Sequence, residues 1–254
     1  MLAEFIVPFE MEKEFMFNPG YAFYGALCAR MSEEFNQYVH DENLGISQYV
    51  TYDNGHHQGT WHIKVFSDQG EYEITNALQN KDLVIRDNHV HLHPHKETII
   101  PEGEGFGYFM DERLGSGNTF DISFVTPTGF KQSGKNVILP DLRLIYQSIY
   151  LKFYKLMNFE RDEIDLPACL SESTEILSYR LQSDSFKLKA NSRIPGFRGT
   201  MKIRLERNEF ERYGRFLLAF GEICGVGVKT TLGMGGFSLN PLSSKNTSAN
   251  SKRI

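Results

Sequence analysis

The second half of the chain has the clearest alternation of hydrophobic and polar positions. Over residues 119–126 every second residue is apolar, which is the period of a strand with one buried face, and Pro127 ends the run. From Pro140 onward the apolar residues recur at intervals of three and four. This spacing predicts an amphipathic helix whose buried stripe contains Leu142, Ile145, Ile149, Phe153 and Leu156.

The elements that follow predict the fold of this half. Strand patterns cover residues 174–190 and 194–206, and a polar break separates them. A second amphipathic helix ends at Gly225, and the last strand spans residues 234–239. The order strand, helix, strand, strand, helix, strand is the ferredoxin-like pattern.

The first half shows a weaker version of the same pattern. It predicts a strand at residues 2–9, a helix at 21–38, strands at 49–52 and 61–67, a short helix at 74–79 and a strand at 88–95. We therefore predict an α+β fold of tandem ferredoxin-like (βαββαβ) domains, over residues 1–116 and 117–240. Residues 241–254 are rich in Ser, Asn and Lys and predict a mobile tail.

The composition is that of an ordinary globular protein. The 254 residues are 41% hydrophobic and 23% charged, which excludes collagen, coiled-coil and disordered classes. No apolar run approaches the roughly 18 residues of a membrane span, and the acidic start argues against a signal peptide. The three cysteines, Cys28, Cys169 and Cys224, are far apart, which favours reduced thiols and a cytoplasmic location.

Charge is distributed unevenly along the chain. The net charge is −5, but residues 1–115 hold 7 Lys/Arg against 19 Asp/Glu, whereas residues 116–254 hold 20 against 13. A local basic surface can act despite distant acidic residues, because salt screens charges beyond about 8 Å. The asymmetry indicates a polyanion partner for the second half. Chance segregation between two domains is the alternative.

A glycine-rich loop at residues 225–236 is the sharpest local motif. Five glycines in twelve residues permit positive φ and expose backbone amides, a feature of phosphate-binding loops. The spacing is not that of a Walker A loop, so nucleotide hydrolysis is unsupported. The candidate RNA-contacting residues here are Gly225, Gly227, Lys229, Thr230, Gly233 and Gly235. A simple tight turn is the alternative.

Cations alternate with apolar residues along the two strands before this loop. A period of two places each basic set on one face, which suits a nucleic-acid backbone. A solvated sheet face would show the same pattern. The candidate RNA-binding residues of this basic hairpin are Lys187, Lys189, Arg193, Arg198, Lys202 and Arg204.

Histidines are concentrated in one segment, where alternate positions would place four imidazoles on one side of a strand: His89, His91, His93 and His95. Metal binding is one interpretation, but no Cys or carboxylate completes a tetrahedral set nearby in sequence. We therefore predict no metal site and no cofactor, and a solvent-facing or RNA-contacting strand instead. His40, at a helix end, is by itself no more than a surface or capping residue.

Taken together, these segments resemble the CRISPR-associated repeat-processing endoribonuclease family of the RAMP superfamily. The similarity is strongest in GFRGTMKIRL at residues 196–205 and GVGVKTTLGMGG at residues 225–236. The segment ISFVTPTGF at residues 122–130 resembles the family's central strand. Residues 18–41, from NPGY to YVHD, resemble its first helix and histidine segment.

The resemblance implies an endoribonuclease that binds CRISPR repeat RNA and cuts the precursor transcript within repeats. Cleavage would need no metal and would leave a 2′,3′-cyclic phosphate. His40 falls at the family's catalytic histidine, and its supporting tyrosine comes from the first helix, where Tyr24 and Tyr38 are candidates. The counted match to that tyrosine is Cys28. The lysine often found shortly after the histidine is absent, since Ser47 and Gln48 occupy that segment.

Two alternatives stay open. One is a catalytically inactive subunit that only holds repeat RNA in a CRISPR effector complex, which the missing lysine and tyrosine favour. The other is a metal-dependent nuclease that uses the histidine segment. The expected partners are repeat RNA, with other effector subunits or a second copy of the chain as further possibilities, and no membrane.

Overall fold

A six-stranded antiparallel sheet forms the first half of the computed structural model, which describes residues 2–42, 45–53, 55, 57–100, 107, 114–158, 164–189 and 192–241. Its strands are β1 (Leu2–Met11), β2 (Ile46–Asp53), β3 (Gln58–Val65), β4 (Asp82–Ile85), β5 (Asn88–Leu92) and β6 (Lys96–Ile100). They lie in the order β2-β3-β1-β5-β4, and β6 pairs with the N-terminal part of β1. Of the expected mobile tail, residues 241–254, Pro241 ends the last strand of the chain and residues 242–254 lie outside the described residues.

Three helices accompany this sheet: α1 (Gly20–Cys28), α2 (Glu33–Glu42) and α3 (Asp68–Ala77). The single helix predicted over residues 21–38 is wrong, because the chain turns between α1 and α2. The Glu73 carboxylate of α3 accepts hydrogen bonds from the Ser32 amide at 2.9 Å and from the Ser32 hydroxyl at 2.5 Å. These long-range bonds stabilise the start of α2 and separate it from α1.

The second half forms a four-stranded antiparallel sheet and a small hairpin. Its elements are β7 (Thr119–Thr128), β8 (Phe130–Gln132), β9 (Lys135–Val137), α4 (Leu142–Met157), α5 (Leu166–Glu172), β10 (Thr174–Lys189), β11 (Ser192–Leu205), α6 (Glu211–Cys224), a 3₁₀ turn (Thr230–Leu232) and β12 (Phe237–Pro241). The sheet order β10-β11-β7-β12 is that of a ferredoxin-like domain. The first half has the corresponding arrangement, with β4, β5 and β6 in place of a single fourth strand.

Each sheet covers a hydrophobic core. Phe120, Ile122 and Phe124 of β7 are fully buried, as the period of two predicts, and they pack with the helical stripe of α4. In the first half the aromatic rings of Phe23 and Trp61 pack edge to face, with centroids 5.0 Å apart. Burying a side chain of this size stabilises the fold by about 1.5–3 kcal/mol. No helix among the described residues has the length and apolar character needed to cross a membrane.

Buried polar side chains connect the two halves. The Lys64 ammonium of β3 lies 3.5 Å from the Glu4 carboxylate and donates to the Glu222 carbonyl of α6. It also lies over the Tyr49 ring, 5.3 Å from the centroid. Because a buried ammonium is costly without partners, these contacts fix α6 against the first sheet. The Gly-rich loop follows α6 directly, so its position relative to the first half is fixed as well.

Candidate active site and RNA interface

A cavity of about 880 Å³ separates the C-terminal end of α2 from the glycine-rich loop. His40 and Tyr24 line it from the first half of the chain, and Lys152 and Lys229 line it from the second half. Residues more than 100 positions apart in the sequence are thereby brought to one site. The cavity is large enough to hold part of a nucleic-acid chain.

His40 lies in the last turn of α2, and its side chain is 84% exposed. The Nδ1 atom lies 3.2 Å from Oδ1 of Asp41, which leaves Nε2 available to a bound molecule. Hydrogen bonds from Gln37 and from His40 lower the pKa of the Asp41 carboxyl. His40 therefore lies beside a carboxylate and at the C-terminal end of a helix, and both features favour positive charge nearby.

Tyr24 lies on α1 within the same cavity. Burial raises the pKa of its hydroxyl, and the neighbouring Cys28 thiol, with which it hydrogen bonds, raises it further. Burial also raises the pKa of Cys28. Tyr24 is therefore protonated at neutral pH and can donate a hydrogen bond. The other predicted tyrosine, Tyr38, stacks on Phe35 and lies outside the cavity lining.

The glycines of the loop give it a tightly packed conformation. Gly225, Gly227, Gly233 and Gly235 all have positive φ. A Cβ atom at Gly227 would lie 2.3 Å from the Gly129 carbonyl oxygen. Only glycine fits such a position without moving the backbone.

The glycine amides donate hydrogen bonds within the protein. The amide of Gly225 donates to Gly221, that of Gly233 to Thr230, that of Gly235 to Pro127 and that of Gly227 to the Ser148 hydroxyl. The expected exposure of these four amides is therefore not found. Among the residues that the structure describes, the amides of residues 229–231 have no hydrogen-bond acceptor, and they lie beside the exposed Lys229 side chain.

The basic hairpin is partly neutralised by carboxylates of its own strands and of β7. Arg198 pairs with Asp184 at 2.9 Å, and Arg204 pairs with Glu175 at 2.5 Å. Lys202 lies 3.8 Å from Asp121. An exposed ion pair contributes at most about 1 kcal/mol to stability, so an RNA phosphate can compete for these cations. Each cation must first separate from its carboxylate.

A second cavity, of about 560 Å³, lies along the β10–β11 hairpin. Lys187, Arg193 and Arg198 line it, together with Phe17. The Lys187 ammonium lies over the Phe17 ring, 4.1 Å from its centroid. The side chain of Lys189 lies outside the described residues, and Lys202 and Arg204 lie outside both cavity linings.

The predicted four-histidine strand is wrong. β5 ends at Leu92, so only His89 and His91 belong to this strand. His93 and His95 lie in the segment between β5 and β6. His91 pairs with Asp82 at 2.8 Å, and His93 lies 3.7 Å from Glu10. Within the described ranges, no three His, Cys, Asp or Glu side chains lie close enough together to hold a metal ion.

The cavity that contains His40 is also lined by two residues that the sequence analysis did not identify, Lys152 and Tyr21. Lys152 lies on α4, and its place in the helical pattern does not distinguish it from a solvent-facing lysine. Tyr21 lies in the first turn of α1. Ser47 and Gln48, which stand in the segment after His40, are buried and are not part of the lining of the cavity that contains His40. The side chain of Gln48 bonds instead to backbone carbonyls and to Trp61.

Comparison with known sequences gives a consistent family. A family model described as CRISPR-associated endoribonuclease Cas6 matches residues 122–237. A Streptococcus thermophilus protein named CRISPR-associated endoribonuclease Cas6 is 32% identical over 224 residues, which cover 85% of this chain and 89% of that protein. A Mycobacterium tuberculosis protein of the same name is 37% identical over 124 residues, 48% of this chain and 39% of that protein.

Solved structures agree on the fold. A Thermus thermophilus Cas6 in a product complex is similar with a TM-score of 0.73 at 22% identity, over 94% of this chain and 99% of that chain. A Cas6-related protein of Pyrococcus furiosus has a TM-score of 0.65 at 12% identity, over 94% and 99% of the two chains. The tandem ferredoxin-like fold is thereby confirmed. Together with the Streptococcus relative, whose length is covered almost entirely, these findings show that the chain belongs to the CRISPR-associated endoribonuclease Cas6 family.

Proposed function

We propose that this endoribonuclease cuts CRISPR precursor RNA within its repeats, without a metal ion, by attack of a ribose 2′-hydroxyl on the adjacent phosphate. The products would be a 2′,3′-cyclic phosphate and a free 5′-hydroxyl. The observation that carries the proposal is the shared cavity of His40 and Lys229. In a chain of the Cas6 family, this cavity contains both an imidazole, which can transfer protons, and an ammonium, which can bind a phosphate.

The reaction needs two proton transfers. A base removes the proton of the 2′-hydroxyl, and an acid supplies one to the departing 5′-oxygen. The imidazole of His40 can perform either step through Nε2, because Asp41 occupies Nδ1. The Tyr24 hydroxyl, protonated at neutral pH, would leave its Cys28 partner and donate a hydrogen bond to the RNA in the same cavity.

Lys229 and the amides of residues 229–231 would bind a phosphate of the RNA chain beside the scissile bond. The RNA on one side of it would follow the β10–β11 hairpin into the second cavity, where Lys187, Arg193 and Arg198 meet phosphates. A similar solved structure, described as a RAMP protein binding different RNA substrates, supports RNA binding by this fold. That chain is 14% identical with a TM-score of 0.63.

A gel of end-labelled repeat RNA tests the proposal. In EDTA the protein should cut the RNA once per repeat, and the 5′ product should resist phosphatase until acid opens the cyclic phosphate. An inactive RNA-binding subunit would shift the RNA in a native gel and leave it intact. A metal-dependent nuclease would cut only when the chelator is omitted. Association with other effector subunits or with a second copy stays a prediction.

A further inference from the structure

Lys152 occupies a special position on the wall of the active-site cavity. Its ammonium donates to the carbonyl oxygens of Cys224 at 3.3 Å and of Gly225 at 2.9 Å, where α6 ends and the glycine-rich loop begins. An ammonium has three N–H donors. These two bonds leave one donor for a molecule in the cavity.

A neighbouring ion pair brings this part of α4 to the end of α2. Lys155, three residues after Lys152 and on the same helix face, pairs with the Glu42 carboxylate at 2.8 Å. Glu42 is two residues beyond His40 in α2. The ion pair therefore fixes the helix turn that carries Lys152 beside the helix turn that carries His40.

No carboxylate pairs with Lys152 among the residues that the structure describes. Its ammonium donates to the two carbonyl oxygens, and burial raises the pKa of the nearby Cys224 thiol to about 11, so this neighbour carries no negative charge at neutral pH. Burial lowers the pKa of this ammonium. A buried cation without a counter-ion is unfavourable, so an anion that enters the cavity would stabilise it. Charge interactions are also stronger at a buried group such as Lys152 than at the exposed Lys229.

We propose that Lys152 is a catalytic residue, which contacts the scissile phosphate and stabilises the negative charge that develops on its non-bridging oxygens. The inference rests on the proposed function, because it assigns a residue to that reaction. Lys229 then binds the RNA chain at the rim of the cavity, while Lys152 acts at the reacting phosphate. Its effect falls on the cleavage rate more than on RNA affinity.

Single-turnover cleavage at saturating protein tests this assignment, with the dissociation constant measured separately. Removing one such charge stabiliser costs about 100-fold in rate, so Lys152→Met should cut about 100-fold more slowly, with affinity within about threefold. Lys152→Arg should recover at least tenfold of that loss, because it restores the charge. Lys152→Gln, which keeps a donor toward the two carbonyls, should stay slow.

A matched control separates chemistry from loop support. The Ser148 hydroxyl, one helix turn before Lys152, accepts the amide of Gly227 at 3.1 Å and so also holds the loop. If Lys152 only supported the loop, Ser148→Ala would lose as much rate as Lys152→Met, and the assignment would be refuted. Lys152→Met or Lys152→Gln cutting within threefold of the parental rate would refute it as well. Should the Met variant fail to fold, the Gln and Arg variants decide.

A phosphorothioate at the cleavage site gives a readout that loop support would not change. One of its two diastereomers should slow the parental protein, because sulfur weakens the contact with the ammonium. Lys152→Met should be insensitive to that substitution, and an undiminished sensitivity would overturn the proposal. Failure of the proposed function looks different, since the parental protein would then leave the RNA intact or His40→Ala would cut normally.

Discussion

The side-chain amide of Gln48 donates to the backbone carbonyl of Thr231 at 3.1 Å. The same amide donates to the Gly20 carbonyl at 3.1 Å, and its oxygen accepts from the Trp61 indole at 2.9 Å. One fully buried residue of β2 thus connects α1, β3 and the glycine-rich loop. The candidate active-site cavity depends on this connection, because α1 supplies Tyr24 and the loop supplies Lys229.

Replacing Gln48 with Ala should destabilise the protein by about 2–4 kcal/mol, because buried donors and acceptors lose their partners. Urea unfolding at neutral pH measures the change. Gln79→Ala is a suitable control, since Gln79 is exposed and its side-chain amide donates to the exposed side chain of Asn76. Equal free energies of unfolding for the two variants would contradict the connecting function of Gln48.

Gly227→Ala should disrupt the glycine-rich loop and cost about 2–3 kcal/mol, because φ is +83° and the new Cβ would meet the Gly129 carbonyl. Gly25→Ala is the matched control, because a Cβ there meets nothing within 4 Å. It lies within α1 and should stabilise the protein by about 0.5–1 kcal/mol. Thermal unfolding of both variants checks the prediction, and a Gly227→Ala protein as stable as the parent would refute it.

RNA binding should depend unequally on the predicted cations. Lys229 and Arg193 have no carboxylate partner in the part of the chain that the structure describes, whereas Arg204 pairs with Glu175. Alanine at Lys229 or Arg193 should lower affinity in a salt-dependent way, each reducing the slope of log K against log salt by about one. Arg204→Ala should have a smaller effect. Filter binding across a salt series tests this, and equal effects at all three positions would contradict it.

His62 should make the protein less stable in mild acid. Burial, and secondarily the charge of Lys64, lowers the pKa of His62 to about 4, below its ordinary value of 6.5. Between pH 4 and pH 6.5 the unfolded chain therefore binds a proton more readily than the folded chain does. The contribution of neutral His62 to the free energy of unfolding is complete above pH 6.5 and is lost as the pH falls toward 4. At pH 5 the loss is about 2 kcal/mol relative to pH 7.

Urea unfolding at pH 7 and pH 5 measures this effect. His62→Gln should remove most of the His62 contribution to the pH dependence, whereas His89→Gln, at an exposed position of β5, should leave it unchanged. An identical difference between the two pH values in the parent and in His62→Gln would show that His62 does not titrate as described.

Local patterning was sufficient to predict the second ferredoxin-like unit. The alternation of Phe120, Ile122 and Phe124 corresponds to one buried sheet face, and Asp141 caps α4 by accepting from the Leu144 amide at 2.9 Å. Both signals are contained within a few residues. A sequence pattern expresses such short-range physics directly.

Long-range contacts could not be predicted in the same way. The break before α2 depends on Glu73, which is 41 residues from Ser32 in the chain. Lys152 has no local feature that marks it as a cavity residue, and only the folded chain brings it to His40 and Lys229. The hydrogen bonds of the glycine-rich loop amides could not be predicted either, because their acceptors Pro127 and Ser148 lie far away in sequence.

The role of His40 in metal-free cleavage is best measured by single-turnover cutting of repeat RNA in EDTA. The proteins to compare are the parent, His40→Ala and, as the matched surface histidine, His89→Ala. We expect the parent and His89→Ala to cut without metal. We expect His40→Ala to cut at least about 100-fold more slowly while binding RNA with unchanged affinity. A His40→Ala protein that cuts at the parental rate, or a parent that is inactive until metal is restored, would contradict the proposed mechanism.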